Sequence, residues 1–165
     1  MTFPLRTFRR GIHPPANKFT KDAPLQEFPT PDKVFISLSQ HIGAPATPTV
    51  AVGDHVDVGQ VIASASGFVS ANVISSVSGT VKAFCTLPTA NGGEATHIEI
   101  ENDHLFTEQR LSALNEPTKE EIIERIKDAG IVGMGGATFP THVKLMPKDP
   151  IDTLIINGAE CEPYI

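Results

Sequence analysis

Val50-Ala51-Val52-Gly53-Asp54-His55-Val56-Asp57-Val58-Gly59-Gln60-Val61-Ile62 decides the fold of this chain. Gly53 and Gly59 mark two tight turns, and between them runs a short strand whose alternate residues Val56 and Val58 point to one face. Nineteen residues after Gln60 comes Gly79, in Ser78-Gly79-Thr80-Val81, a further turn entering a strand. Working outward, VFISL from Val34, the quoted stretch, FVSANVISSVSGTVKAF from Phe68 and THIEIEN from Thr96 are each rich in Val, Ile, Phe and Thr. Gly, Asn or Pro separates them. Short strands at this spacing predict a small all-β sandwich or barrel over residues 34–102.

The spacing of these turns resembles the biotinyl/lipoyl carriers, in which a hammerhead of two quasi-symmetric strand sets encloses a small core. The resemblance covers about 50 residues. Carrier chemistry requires a lysine at an exposed hairpin tip, about eleven residues before the glycine that matches Gly79. This chain has Phe68 there, within Ser66-Gly67-Phe68-Val69-Ser70, and its nearest lysine, Lys82, follows Gly79 in a strand. A phenylalanine cannot form the amide, so the module reads as a structural barrel-sandwich hybrid.

Composition narrows the class. The 165 residues are 40% hydrophobic and 19% charged, and the net charge is 13 − 19 = −6. With a mean hydropathy of −0.04, the chain is globular rather than disordered or fibrous. No apolar run approaches the ~18–20 residues of a membrane helix, and the N-terminal MTFPLRTFRR lacks the apolar core of a signal peptide. Cys85 and Cys161 are too few for a disulfide framework or for a metal site built from cysteines alone. Five of the 13 basic residues lie in the first 21 positions, whereas residues 94–128 carry ten acidic residues against four basic ones. That balance argues against a nucleic-acid partner. Eight of the 14 prolines fall at or before Pro48, which predicts an extended arm over residues 1–33.

After a linker at 103–117 the pattern changes. Thr118-Lys119-Glu120-Glu121 is a capping box. Ile122, Ile123, Ile126 and Ala129 form an apolar stripe at helical spacing, expected to join the core, and Gly130 supplies the stop. In Gly130-Ile131-Val132-Gly133-Met134-Gly135-Gly136-Ala137-Thr138-Phe139-Pro140-Thr141-His142-Val143-Lys144, three glycines remove side chains over four positions. Backbone there can approach a flat ring or a phosphate, and its amides can form an anion-binding nest. A tight turn packed under a strand is the competing reading. Pro140 and Thr141 can start a helical turn, and Lys144 supplies a cation. Ile151-Asp152-Thr153-Leu154-Ile155-Ile156 reads as a buried strand delivering Asn157, Glu160 and Glu162 to the ligand edge of an α/β sheet. A solvated acidic turn is the alternative for that end.

Together, GMGGATFPTHVKL and LIINGAECEPYI closely resemble the RnfC subunits of the Rnf electron-transport complexes. More distantly they resemble the flavin-binding subunit of respiratory complex I, with its GRGGAGFPTGLKW and NADEGEP patterns. Gly11-Ile12-His13-Pro14-Pro15, Gln40-His41-Ile42-Gly43-Ala44, the hammerhead and Gly130-Ile131-Val132-Gly133 extend the likeness through the chain in order. The resemblance implies an α+β architecture, a barrel-sandwich hybrid followed over residues 118–165 by the opening of an α/β domain that binds FMN and NADH. It also implies a peripheral subunit on the cytoplasmic side of the cell membrane. Such a subunit works with the other Rnf subunits, some of them membrane-embedded, and indirectly with ferredoxin, and couples electron transfer to ion translocation. By motif, the backbone of Gly133, Gly135 and Gly136 lines FMN. Lys144 pairs with its phosphate or stabilises flavin charge, Asn157, Glu160 and Glu162 hydrogen-bond the flavin, its ribityl chain or the nicotinamide, and Phe139 is similar to the residue that stacks on the adenine of NADH.

Several positions depart from the pattern. Thr138 and His142 stand where the motif often has Gly, Ala159 replaces an acidic residue, and Arg10 replaces a second glycine. His13 and His41 are expected to be structural, and Cys161 to pack. The family continues into the rest of the flavin domain, a small β-grasp domain and two motifs for 4Fe-4S clusters, none of which occurs in these residues. The sequence therefore reads as a fragment expected to bind FMN weakly or not at all, and to be inactive alone. A soluble flavoprotein reductase of the cobalamin-reductase kind and a docking scaffold are the other functional readings.

Overall fold

The computed structural model describes residues 15–89, 92–134 and 137–156. Both glycine turns form. The Asp54 amide donates to Ala51 O at 3.1 Å and the Gln60 amide to Asp57 O at 3.1 Å, with Gly53 at φ 96° and Gly59 at φ 87°. A positive φ at the third residue is what a type II turn requires. Each turn is also tied by its own last side chain. The Ala51 amide donates to Asp54 Oδ2 at 2.8 Å, and the Asp57 amide to Gln60 Oε1 at 3.0 Å.

Around these turns lie seven strands: β1 (Lys33–Ser37), β2 (Thr47–Pro48), β3 (His55–Val56), β4 (Val61–Ser64), β5 (Val73–Ile74), β6 (Gly79–Pro88) and β7 (Glu94–Asn102). They form two antiparallel sheets, β1-β7-β6-β3 and β2-β4-β5. The barrel-sandwich architecture expected from the turn spacing is the one observed. Register in the larger sheet is set by Ile98, which lies between Ile36 and Phe84, and by Ile100, which lies between Val34 and Val81. A one-residue slip would turn this apolar set outward. Ile98 and Ile100 meet Val56, Ile62, Val73 and Val81 in one core, all at 0–1% exposure. Each such aliphatic side chain contributes roughly 1.5–3 kcal/mol through burial.

A register shift between Val81 and Ala83 leaves Lys82 outside the pairing, and its Nζ lies 2.5 Å from Glu101 Oε2. Phe68 sits in a bend, 73% exposed. After β7 the chain folds back on the first turns. Val58 exchanges backbone bonds with Thr107 and Gln109, each at 2.8 Å. Before β1, Asn102 pins residues 31 and 32 by donating to Pro31 O from its side chain and to Asp32 O from its amide.

Helix α1 (Lys119–Asp128) starts on the capping box: the Glu121 amide donates to Thr118 Oγ1 at 3.3 Å, and the Thr118 amide to Glu121 Oε2 at 2.7 Å. It ends on Gly130 at φ 63°, with the Gly130 amide donating to Lys127 O and the Ile131 amide to Ile126 O. This is a Schellman pair. A Cβ at Gly130 would stand 2.3 Å from Asn72 O, and Asn72 Nδ2 donates to Asp128 O at 3.2 Å. The helix end therefore seats against the start of β5. Two expectations need correction. No residue of α1 is buried, and Ile122 is 44% exposed. The main helical partner of the stripe among the described residues is α2 (Thr141–Lys144), four residues long and too short to cover three isoleucines. Residues 151–156 form no strand, and Ile151, Leu154, Ile155 and Ile156 are 65–86% exposed. A buried strand needs a ladder partner and cover on both faces, and the described residues offer this segment neither.

The residues Pro29–Ile151 make up one compact unit. The described residues 15–28 and 152–156 belong to a second and carry neither helix nor strand.

Candidate functional site

Beyond the Schellman stop the chain enters a loop pinched at its neck. Val132 and Pro140 form an isolated antiparallel bridge, with the Gly133 amide donating to Phe139 O at 3.0 Å and the Thr141 amide to Ile131 O at 3.0 Å. The glycine run thus lies inside a closed loop that leads directly into α2. Gly133 contributes to the neck rather than to a nest, because its N–H is already engaged. Gly135 and Gly136, which could still supply amides, lie outside the described residues, as do Asn157, Glu160, Cys161, Glu162 and His13.

Thr138 has φ 49°. A β-branched residue in this left-handed region, which glycine adopts freely, is strained. Its hydroxyl donates to Ala137 O at 2.7 Å. Phe139 is half-buried beside Pro140, which is fully buried. Lys144, the last residue of α2, is exposed and makes no ion pair with the described residues. Of the eight residues assigned to the cofactor by motif, the structure brings together Gly133, Phe139 and Lys144 on the loop and its following turn.

Sequence reasoning treated His142 only as added bulk, yet it is 5% exposed and its Nδ1 has no hydrogen-bond partner among the described residues. Burial pushes its pKa down, the Lys127 charge pushes the same way, and Glu124 opposes them. The imidazole is therefore held neutral against α1. The signal available was its position, first turn of a helix that packs on the Ile stripe. His41 is structural, as expected: its Nε2 accepts from the Ala71 amide at 3.0 Å and its Nδ1 lies 3.1 Å from Ile42 O. Among the described residues no group of three or more His, Cys, Asp or Glu could hold a metal, and no helix is long and apolar enough to cross a membrane.

Residues 6–105 match the family model described as the RnfC barrel sandwich hybrid domain. The chain belongs to the RnfC family. Residues 126–165 match the family model described as the Nuo51 FMN-binding domain, a stretch that includes the pinched loop and α2. Among similar proteins, the C subunit of the proton-translocating ferredoxin:NAD(+) oxidoreductase complex of Clostridium ljungdahlii is 46% identical over 98% of this chain and 37% of its own length. The C subunit of the Na(+)-translocating ferredoxin:NAD(+) oxidoreductase complex of Acetobacterium woodii is 45% identical over 96% of this chain and 38% of its own. The C subunit of the ion-translocating oxidoreductase complex of Pseudomonas aeruginosa is 44% identical, over 98% and 22%. The chain therefore spans less than two-fifths of the length of these RnfC relatives.

Proposed function

We propose that this chain is the N-terminal part of an RnfC subunit that binds FMN and NADH and passes electrons towards ferredoxin within an ion-translocating membrane complex. The observation that carries the reading is the pinched loop from Gly133 to Phe139, which runs straight into a turn ending on an exposed lysine with no ion-pair partner among the described residues. A loop with few side chains beside an uncompensated cation fits a flat ring bearing a phosphate. When bound, FMN accepts two electrons as hydride from NADH and releases them singly.

The chain's own residues bind and orient. The bridge between Val132 and Pro140 ties the two ends of the loop together, and Thr138 itself adopts a left-handed conformation. Lys144 balances negative charge on the flavin or its phosphate. Phe139 offers a ring face for the adenine. By motif, Gly135 and Gly136 approach the flavin by backbone, and Asn157, Glu160 and Glu162 hydrogen-bond the flavin, its ribityl chain or the nicotinamide. Two 4Fe-4S clusters, which the family resemblance implies, belong to the rest of the subunit. The barrel-sandwich module carries no acylated lysine and serves as scaffold. Placement is peripheral, on the cytoplasmic side of the membrane, through the other Rnf subunits.

Anaerobic titration of the purified full-length subunit with NADH tests this. Bleaching of a bound flavin spectrum at one NADH per FMN is expected. Purification without flavin, or a spectrum unmoved by NADH, would refute it.

A further inference from the structure

Two residues of the α2 turn face opposite ways. His142 is buried, whereas Lys144 is exposed. Positions two apart on a helix stand about 200° from each other around its axis, so burying the first directs the second outward. The turn is short but its backbone bonds are helical: the Lys144 amide donates to Pro140 O at 3.4 Å and the Leu145 amide to Thr141 O at 3.1 Å. The rotation of α2 about its axis therefore decides where the Lys144 ammonium points.

Two contacts hold α2. At its start, the Thr141 amide donates to Ile131 O at the neck of the loop. Within it, the His142 ring lies against α1, near enough for the charges of Lys127 and Glu124 to act on it. The buried Nδ1 of that ring has no hydrogen-bond partner among the described residues. An unpaired acceptor gives the ring no bond to hold it at that atom, so its volume against α1 is what seats the turn. Helix α1 is itself seated on the barrel module, where Asn72 Nδ2 donates to Asp128 O and Gly130 lies against Asn72 O. An unbroken line of contacts thus runs from the start of β5 through α1 and His142 to the turn that carries Lys144.

We propose that His142 is a positioning residue of the flavin site: its imidazole, seated against α1, fixes the rotation of α2 and so aims Lys144 at the flavin. The proposal rests on the functional reading above, in which Lys144 balances negative charge on the flavin or its phosphate. His142 acts through the lysine alone, which separates it from a residue that only packs. It also asks for bulk without charge at this position, and for no hydrogen bond to Nδ1.

The test uses the full-length subunit, with the Kd for FMN from fluorescence quenching and hydrogen exchange over residues 141–146 in the flavin-free protein. His142→Ala removes the seat, so it should raise exchange at Leu145 and weaken FMN binding about tenfold, the loss expected for the lysine itself. His142→Leu supplies similar bulk without the unpaired acceptor and should keep both readings within about twofold of wild type. Added to Lys144→Ala, His142→Ala should cost less than about twofold more, because the group it aims is gone. Losses that multiply in the double variant overturn the proposal. So does wild-type FMN affinity in His142→Ala, or an alanine-like loss in a folded His142→Leu. Each of these leaves the flavin reading standing, whereas a wild-type subunit that binds no FMN removes both.

Discussion

His55 Nε2 lies 2.9 Å from Asp103 Oδ2, and this contact ties β3 to the end of β7. The other Asp103 oxygen accepts from Ser78 Oγ at 2.6 Å and from the Leu105 amide at 2.9 Å. The Ser78 hydroxyl, then His55, then the Leu105 amide hold this carboxyl at about 2, below its ordinary 3.8. Because the folded value is the lower one, the contribution to stability is fully present above about pH 4. It is lost as pH falls from about 4 towards 2. Asp103→Asn should lower the denaturation midpoint at pH 7 and match wild type at pH 2. Equal midpoints at pH 7 would show that the joint contributes nothing.

Gly130 and Gly53 both have positive φ, but a Cβ at Gly53 meets nothing within 4 Å, whereas at Gly130 it meets Asn72 O at 2.3 Å. Alanine at Gly53 therefore costs only backbone strain, about 1–2 kcal/mol. At Gly130 the same strain comes with a collision that must unseat α1 from β5. Gly130→Ala should be the more destabilising of the two by urea denaturation, and it should also raise hydrogen exchange in α1. Equal losses would mean that the helix end does not dock.

Ile98 is wholly buried between Ile36 and Phe84, in the centre of the larger sheet. Ile98→Ala removes three carbons from a site with strands on either side, and should cost about 2–5 kcal/mol. Phe68→Ala, at an exposed bend, should stay within about 0.5 kcal/mol. Chemical denaturation of both variants checks the contrast.

What the sequence made legible was local. The turns at Gly53 and Gly59 and the box at Thr118 and Glu121 use residues a few positions apart, so their geometry is written in adjacent letters. The carrier-like spacing likewise marked the two-sheet barrel-sandwich module. Burial of the Ile122 stripe and of Ile151–Ile156 was misread because an apolar pattern shows what can be covered, not what covers it. The imidazoles of His97 and His142 were missed for a similar reason. Their burial depends on register with Ser37 and on packing against α1, which arise only once distant segments meet.

Lys144 and Glu160 carry the most direct test of the flavin site. Lys144 is exposed, makes no ion pair with described residues and closes the turn that follows the pinched loop. A charge-assisted bond to phosphate or flavin contributes about 1.5–3 kcal/mol, so Lys144→Ala in the full-length subunit should weaken FMN binding roughly tenfold or more. Lys144→Arg retains the charge and should restore most of the affinity. Lys148→Ala, at an exposed lysine four residues further along the chain, controls for the general loss of a cation and should leave FMN content unchanged. Glu160→Gln keeps the size of the side chain but exchanges acceptor-only oxygens for an amide, so it should lower flavin content or NADH oxidation. Flavin content at wild-type level in Lys144→Ala, measured from the absorbance of the purified protein, would remove the lysine from the site. The same level of flavin and of NADH oxidation in Glu160→Gln would remove the carboxylate.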